Sequence, residues 1–206
     1  MLGALVQSAF TNEAMRVSAP PEERVRPADL MEKYCGGSDA AFRELYALTA
    51  PRLLAYLVCL ARDRTTAEEV LQLTFIKLHQ SRASYVRGAD PMPWLFTIAH
   101  RTFLDEARRR RRSRVEPARG ELPDVAATFE EDDAPYSEEQ IAEVLAAMQH
   151  LPENQRDALV LTKIQGKSVA EAAAILGTTP GAIKLRAHRG YVTLRELLRS
   201  SPEGER

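Results

Sequence analysis

The sequence predicts an all-α protein of two small helical domains joined by a flexible acidic linker, the second containing a helix-turn-helix. Ala, Leu, Glu and Arg recur while β-branched runs are short, a composition that favours helices. Charge also changes sign along the chain: residues 29–114 carry a formal +5, residues 115–139 carry −8 and residues 140–199 carry +3. Self-repulsion and low apolar content are expected to keep the acidic segment unfolded.

Proline and charge patterns set the expected boundaries. The N-terminal residues include Pro20, Pro21 and Pro27 without a sustained period, which predicts a disordered leader. Basic domains beside an acidic segment favour a polyanion partner, although charge runs are equally compatible with solvated surface. The expected organisation is a leader at 1–28, a helical domain at 29–113, an acidic linker at 114–136, a second helical domain at 137–199 and a tail at 200–206.

Three helices are predicted in the first domain, at 38–61, 65–85 and 93–112. Ser38 is the expected N-cap of the first, and Pro51 is expected to kink or split it. Thr66 is expected to cap the second, with Glu69 three residues later completing a capping box. Pro93 lies in the first turn of the third, a position that tolerates proline.

Four helices are predicted in the second domain, at 137–150, 152–165, 169–176 and 180–199. Ser168 and Glu171 have the spacing of a capping box at the start of the short third helix. Gly177 ends that helix, because glycine accepts the left-handed conformation of a tight turn. Thr179 then caps a helix with Pro180 at its first position, so about three residues join the pair, as in a helix-turn-helix.

The last of these helices separates its residues by face. An inward face is predicted for Ile183, Ala187, Gly190, Leu194 and Leu197. Outward residues near the helix start can reach base edges in the major groove, and hydroxyls beside its N-terminus can bond phosphate. The candidate DNA contacts are Thr178, Thr179, Gly181, Lys184, Arg186 and Arg189. The alternative is an ordinary helical hairpin with a solvated basic face.

The third predicted helix ends in five consecutive arginines, Arg108–Arg112. One or two cations would complement the helix dipole, so five favour a phosphate backbone as partner. Trp94, Phe96 and Phe103 lie on the same helix and could stack on unpaired bases. The alternatives are a solvated domain end for the arginines and core packing for the aromatic residues.

The sequence offers no catalytic constellation, and no cofactor or metal is expected. Cys35 and Cys59 cannot complete a four-ligand zinc site and are expected to be reduced, buried thiols. The histidines are scattered, and no phosphate-cradling glycine loop is present. No apolar stretch approaches the ~20 residues of a membrane span. We therefore expect a cytoplasmic protein without a small-molecule substrate or direct membrane insertion.

Three segments together resemble the extracytoplasmic-function (ECF, group 4) sigma factors of the sigma-70 family. They are Thr66–Leu78, then Trp94–Arg101 with Asp105, Arg108 and Arg109, and last the set Leu151–Arg156, Gly166–Gly177 and Gly181–Arg186. The resemblance implies docking on core RNA polymerase, contact with the promoter −10 and −35 elements, and control by an anti-sigma factor. The implied polymerase contacts are Glu69, Leu71, Gln72, Phe75, Ile76 and Leu78. The implied −10 contacts are Trp94, His100, Arg101, Asp105, Arg108 and Arg109, and the −35 contacts are the outward residues of the helix-turn-helix given above.

The chain departs from the family pattern at three positions. Leu73 stands where an acidic residue is usual, Arg101 where Asn is common, and Leu185 where Ser usually precedes the recognition-helix Arg. The polymerase contact, the −10 preference and one polar contact are therefore expected to differ. The acidic segment is interpreted as running along a basic polymerase channel that otherwise holds RNA or template.

Two other functions fit parts of the sequence. A stand-alone helix-turn-helix regulator would bind duplex DNA tightly without polymerase, whereas a sigma factor binds weakly until core enzyme is added. A sigma-mimicking interaction module would need no basic recognition helix, and Lys184, Arg186 and Arg189 count against it.

Overall fold

The computed structural model describes residues 26–112 and 138–200, and all regular elements in these ranges are helical. The expected leader up to residue 25, the whole of the expected linker and the tail beyond Ser200 lie outside the described residues. The chain divides into two compact units, one with α1–α4 and one with α5–α8. The elements are α1 (Pro27–Cys35), α2 (Asp39–Ala61), α3 (Arg64–Ser81), a 3₁₀ turn (Arg82–Ser84), α4 (Pro91–Arg112), α5 (Glu138–Gln149), α6 (Glu153–Leu159), a π-helical turn (Val160–Ile164), α7 (Val169–Leu176) and α8 (Pro180–Ser200). The all-α prediction is confirmed.

Helix α2 lies at the centre of the first unit, where it packs against α1, α3 and α4. Its fully buried residues include Leu45, Leu53, Tyr56 and Leu57. A central helix is apolar on several faces, and α2 is long and apolar enough to cross a membrane by length and composition alone. This differs from the expectation that no stretch reaches that length, but a core helix of a soluble protein passes the same test.

Helix α1 was not predicted, and it starts two residues inside the expected leader. Pro27 occupies its first turn, and its apolar side chains are buried against α2 and α4. These are Leu30, Met31 and Tyr34. Their spacing fits one face of a helix. A helix of nine residues is too short, however, for its hydrophobic periodicity to be recognised in the sequence.

Pro51 was expected to kink or split this helix, but α2 is continuous through it, so no split occurs. Pro51 and Ala47 are both exposed, so water can reach the carbonyl that lacks its usual N–H donor. The N-cap prediction is confirmed: the Ser38 hydroxyl accepts a hydrogen bond from the Ala41 N–H at 3.2 Å.

The predicted cap of α3 is wrong by one turn. Asp63 is the N-cap, and its carboxylate accepts hydrogen bonds from the N–H and the hydroxyl of Thr66. Asp is at least as good a cap as Thr, and its choice places Thr66 inside the helix. The other end differs too, because α3 stops at Ser81 and a 3₁₀ turn follows. Helix α4 begins at Pro91 rather than Pro93.

In the second unit, α8 packs against α5, α6 and α7. Ile183 and Leu194 on its inner face are fully buried, as predicted. Gly190 faces α6 so closely that an added Cβ would lie 3.2 Å from the Gln155 carbonyl oxygen. The predicted helix ends in this unit are found within about one residue, although the end of predicted helix 152–165 is π-helical.

The helix-turn-helix prediction is confirmed in its local details. Ser168 and Glu171 form the reciprocal capping box of α7. Gly177 has φ +61° and ends the helix in the left-handed conformation. The Thr179 hydroxyl accepts a hydrogen bond from the Ala182 N–H at 3.2 Å, which caps α8.

Candidate nucleic-acid and polymerase interfaces

The start of α8 presents an exposed basic surface. Gly181, Lys184 and Arg189 are exposed, whereas Arg186 is half-buried. Leu185 is exposed between the basic residues, and it presents an apolar side chain where a polar contact is usual in the family. The Thr179 hydroxyl is an acceptor in the cap, so its proton is available for donation to a phosphate. The predicted −35 residues thus lie along the turn before α8 and the first half of α8.

Arg186 is half-buried and lies close enough to Asp157 of α6 to act on its carboxyl electrostatically. Burial raises the pKa of the Asp157 carboxyl to about 6, and the nearby positive charges of Arg156 and Arg186 partly oppose this increase. Arg156 is itself buried, with its Nε 4.0 Å from the Asp157 carboxylate. No local sequence pattern marks Asp157, because its proximity to α8 depends on tertiary packing.

Helix α4 uses most of its aromatic residues for packing. Phe96 is fully buried and meets the Tyr56 ring edge-on with centroids 5.2 Å apart. Trp94 is half-buried, and its ring is tilted against that of Tyr85 at 5.9 Å. The core-packing alternative is therefore correct for Phe96, whereas Trp94 remains partly accessible.

His100 is buried, which corrects its prediction as a −10 contact. Its Nδ1 lies 3.0 Å from the Tyr56 hydroxyl in the interface between α4 and α2. Burial lowers the pKa of His100 to about 4, so the imidazole is neutral at physiological pH. Its neighbour Arg101 lies about 100° further around the helix, where it is exposed and stays accessible to DNA.

The arginine run is not uniformly available for phosphate. Arg108 pairs with Asp105 at 3.3 Å, and Asp105 also pairs with Lys77 of α3 at 3.2 Å. The next two arginines both bind Glu106, and one of them also donates hydrogen bonds to side chains of α3. Arg109 donates to both Glu106 oxygens at 2.6 and 2.8 Å, and Arg110 reaches Glu106, Glu69 and Thr66 at 3.1, 2.6 and 2.8 Å.

The outer face of α3 is partly apolar. Ile76 is 52% exposed, Leu73 is 39% exposed, and Gln72, one turn before Ile76, is exposed beside them. Tyr46 of α2 extends this surface, and its ring lies 4.6 Å from that of Phe75. A polar amide surrounded by exposed apolar side chains is typical of a protein-docking surface.

Three predicted polymerase contacts do not belong to this surface. Leu71, Phe75 and Leu78 are buried in the core of the first unit, which corrects their assignment as direct contacts. Around the helix their positions lie roughly 100° from those of Gln72 and Ile76, on the side that faces the core, so they anchor the helix that carries the docking face. Glu69 is exposed but its carboxylate is bound to Arg110.

The cysteines differ slightly from expectation. Both are free thiols, but they are half-buried rather than buried. The Cys35 thiol donates to the Arg82 carbonyl at 3.4 Å. Within residues 26–112 and 138–200, no group of three or more His, Cys, Asp or Glu side chains is arranged to hold a metal ion.

One helical unit with an exposed docking face beside a basic helix, and a second with a basic helix-turn-helix, together define a DNA-binding transcription protein that also binds a protein partner. The family model for sigma-70 region 2 matches residues 45–113, and the model for sigma-70 region 4 matches residues 141–194. Both matches agree with the order in which the sequence placed its motifs.

Individual relatives point the same way. RNA polymerase sigma factor CarQ of Myxococcus xanthus is 38% identical over 168 residues, which cover 82% of this chain and 95% of the relative. ECF sigma factor EcfG of Rhodopseudomonas palustris is 32% identical over 77% of this chain and 85% of its own. The solved structure of the sigma factor RpoE in complex with the anti-sigma factor NepR, from Bartonella quintana, is similar with a TM-score of 0.62 and 30% identity, covering 78% of this chain and 98% of that one.

The chain belongs to the extracytoplasmic-function sigma factors of the sigma-70 family. Such factors direct bacterial RNA polymerase to promoters and are not enzymes in the catalytic sense. The prediction from the sequence is confirmed at this level, and it is favoured over the stand-alone regulator and the sigma-mimicking module.

Proposed function

We propose that the two helical units divide promoter recognition between them in the cytoplasm. The first unit docks on core polymerase through Gln72, Leu73 and Ile76 of α3 and meets the −10 element through α4. The second unit reads the −35 duplex through the start of α8. The observation that carries this division is the exposure of apolar side chains on α3 and of Lys184 and Arg189 on α8.

Run-off transcription with core polymerase on a pool of genomic fragments tests the function as a whole. We expect a small set of transcripts that share spaced −35 and −10 elements and require the added chain. A gel-shift with and without core enzyme provides the control. Tight specific binding by the chain alone, with no transcript in the run-off assay, would instead identify a stand-alone regulator.

The −35 assignment is tested with Lys184→Ala. A bidentate base contact contributes about 1–3 kcal/mol of discrimination, so holoenzyme binding to a −35-dependent promoter should weaken roughly ten-fold. Arg199→Ala is the matched control, because Arg199 is an exposed cation roughly 22 Å further along the same helix, at about 1.5 Å per residue. Equal effects of the two substitutions would show that promoter binding depends on the total positive charge of the helix and not on a base contact by Lys184.

The docking assignment is tested with Ile76→Asp. A charge placed at the centre of an apolar contact remains unpaired, so affinity for core polymerase should fall by more than ten-fold. Val86→Asp is the matched control, because Val86 is 72% exposed in the same unit but outside α3. Binding is measured by anisotropy of labelled chain, and the fluorescence of Trp94 verifies folding. Similar losses for both variants would count against the α3 surface.

Anti-sigma control is part of the same proposal. The similar RpoE structure contains an anti-sigma factor, which supports a comparable regulator for this chain. Because the α3 surface is exposed in the free chain, it is the surface that such a regulator would have to cover to block docking. A regulator encoded near the gene should therefore lose affinity for the Ile76→Asp variant in a direct binding assay.

A further inference from the structure

The last turns of α4 are held by an ion-pair network with Glu106 at its centre. Glu106 is 8% exposed and binds both Arg109 and Arg110, and these bonds lower the pKa of its carboxyl to about 2. Arg110 bridges onward to Glu69 and Thr66 of α3. Two carboxylates therefore neutralise two adjacent cations of the arginine run.

The neighbouring arginine is held differently. Arg108 has a single bond of 3.3 Å to Asp105, a carboxylate that is 58% exposed and shared with Lys77. An exposed pair of this kind contributes little and exchanges readily for another anion. Arg112 is exposed at the very end of the helix. These two cations can turn to DNA phosphates without breaking the Glu106 network.

The negative charge of Glu106 opposes the release of Arg109 and Arg110. If both guanidinium groups turned to phosphates, Glu106 would remain as an uncompensated anion beside the anionic DNA backbone. Like charges at short range repel, and bidentate arginine–carboxylate bonds are among the stronger polar contacts. The network therefore favours keeping these two arginines on the protein.

We propose that Glu106, assisted by Glu69, is a positioning residue that withholds Arg109 and Arg110 from DNA phosphates and leaves Arg108 and Arg112 to engage the −10 region. Phosphate contacts add affinity for any sequence, so withholding two of five cations limits non-specific binding. In this proposal the Glu69 carboxylate binds Arg110 and is not a polymerase contact. The inference rests on the proposed contact of α4 with the −10 region.

The salt dependence of DNA binding measures the number of phosphate contacts directly. Each contact contributes a slope of about 0.9 for duplex and about 0.7 for single-stranded DNA in a plot of log affinity against log salt. The experiment uses holoenzyme with a promoter fork fragment and with a non-promoter fragment of equal length. The variants are Glu106→Gln, Glu69→Gln, Arg108→Ala, Arg110→Ala and Arg112→Ala.

We expect Arg112→Ala to lower the slope by nearly one unit and Arg110→Ala to leave it unchanged. Glu106→Gln should steepen the slope by about 0.7–0.9 for each arginine it releases. It should also strengthen binding to the non-promoter fragment several-fold, which loss of structure alone would not do. Glu69→Gln removes an exposed carboxylate that binds Arg110 alone, so it should give a smaller change in the same direction.

Several outcomes would overturn the inference. A slope lowered as much by Arg110→Ala as by Arg112→Ala would place Arg110 on DNA. A slope unchanged in both Gln variants, with Trp94 fluorescence showing a folded unit, would show that the carboxylates withhold nothing. If Arg112→Ala, Arg108→Ala and both Gln variants all leave the slope unchanged, the proposed contact of this helix end with DNA is wrong as well.

Discussion

At the scale of single residues, burial decides which members of a motif can touch a partner. His100 and Arg101 are adjacent in the sequence and both lie in the segment predicted to contact the −10 element, yet one is buried against Tyr56 and the other is exposed. The motif predicts that the helix exists, but its spacing does not show which face meets α2. Leu71 and Gln72 of α3 are separated in the same way.

The buried imidazole makes the first unit sensitive to acid. Burial lowers the pKa of His100 from 6.5 to about 4 in the folded chain. Because the folded state disfavours the charged form, the stabilisation is present above pH 6.5 and is lost as the pH falls towards 4. From pH 7 to pH 5 the free energy of unfolding should therefore fall by about 2 kcal/mol.

The measurement is denaturant unfolding followed by fluorescence. Trp94 is the single tryptophan of the chain and lies in the same unit, so it reports that unit alone. His100→Asn keeps an acceptor near Nδ1 for the Tyr56 hydroxyl but does not titrate. Its stability should be nearly flat between pH 7 and pH 5, and a decline as steep as that of the parent chain would assign the acid sensitivity to other groups.

At the scale of elements, local rules predicted what depends on local atoms. The capping box, the left-handed glycine and the Thr179 cap involve residues within three or four positions, so α7 and α8 were placed correctly. The start of α3 was misplaced because Asp63 and Thr66 are both good caps. Arg110, forty-four residues later, bonds the Thr66 hydroxyl, and no local pattern indicates that contact.

The turn between α7 and α8 gives a stability prediction with opposite signs at two glycines. Gly177 has φ +61°, where a side chain costs about 1 kcal/mol, so Gly177→Ala should destabilise the second unit. Gly181 lies inside α8 with open space around it, so Gly181→Ala should stabilise that unit by about 0.5–1 kcal/mol.

Amide hydrogen exchange in α6–α8 separates this unit from the other. Protection of these amides should fall in Gly177→Ala and rise in Gly181→Ala. A loss of protection in both variants would mean that α8 is strained near its start, contrary to the open space at Gly181.

At the scale of the whole molecule, composition predicts the fold class, whereas tertiary packing determines which residues form the interfaces. The order of helices, the two units and the basic helix-turn-helix follow from periodicity, caps and charge. The docking surface around Ile76 does not, because exposure of an apolar residue on an amphipathic helix depends on which neighbours cover it. The division of the arginine run by Glu106 depends in the same way on contacts between α3 and α4.

The charge distribution supports a last prediction. Residues 115–139 carry a formal −8 between two basic units, and we propose that this segment follows a basic polymerase channel during initiation. Replacing Glu130, Glu131, Asp132 and Asp133 by their amides halves that charge. The segment would then be held more weakly, so run-off transcription should fall several-fold while binding to core and to the −35 duplex is retained.

A segment of the same composition in scrambled order is the matched control, because it keeps the charge and loses the sequence. If electrostatic attraction to the channel is what matters, the scrambled chain transcribes like the parent and the amide variant does not. Equal transcription by the amide variant and the parent, over salt concentrations where screening distinguishes charge effects, would remove the acidic segment from the initiation mechanism. Transcription lost in both variants would instead show that a specific sequence, rather than charge, is recognised.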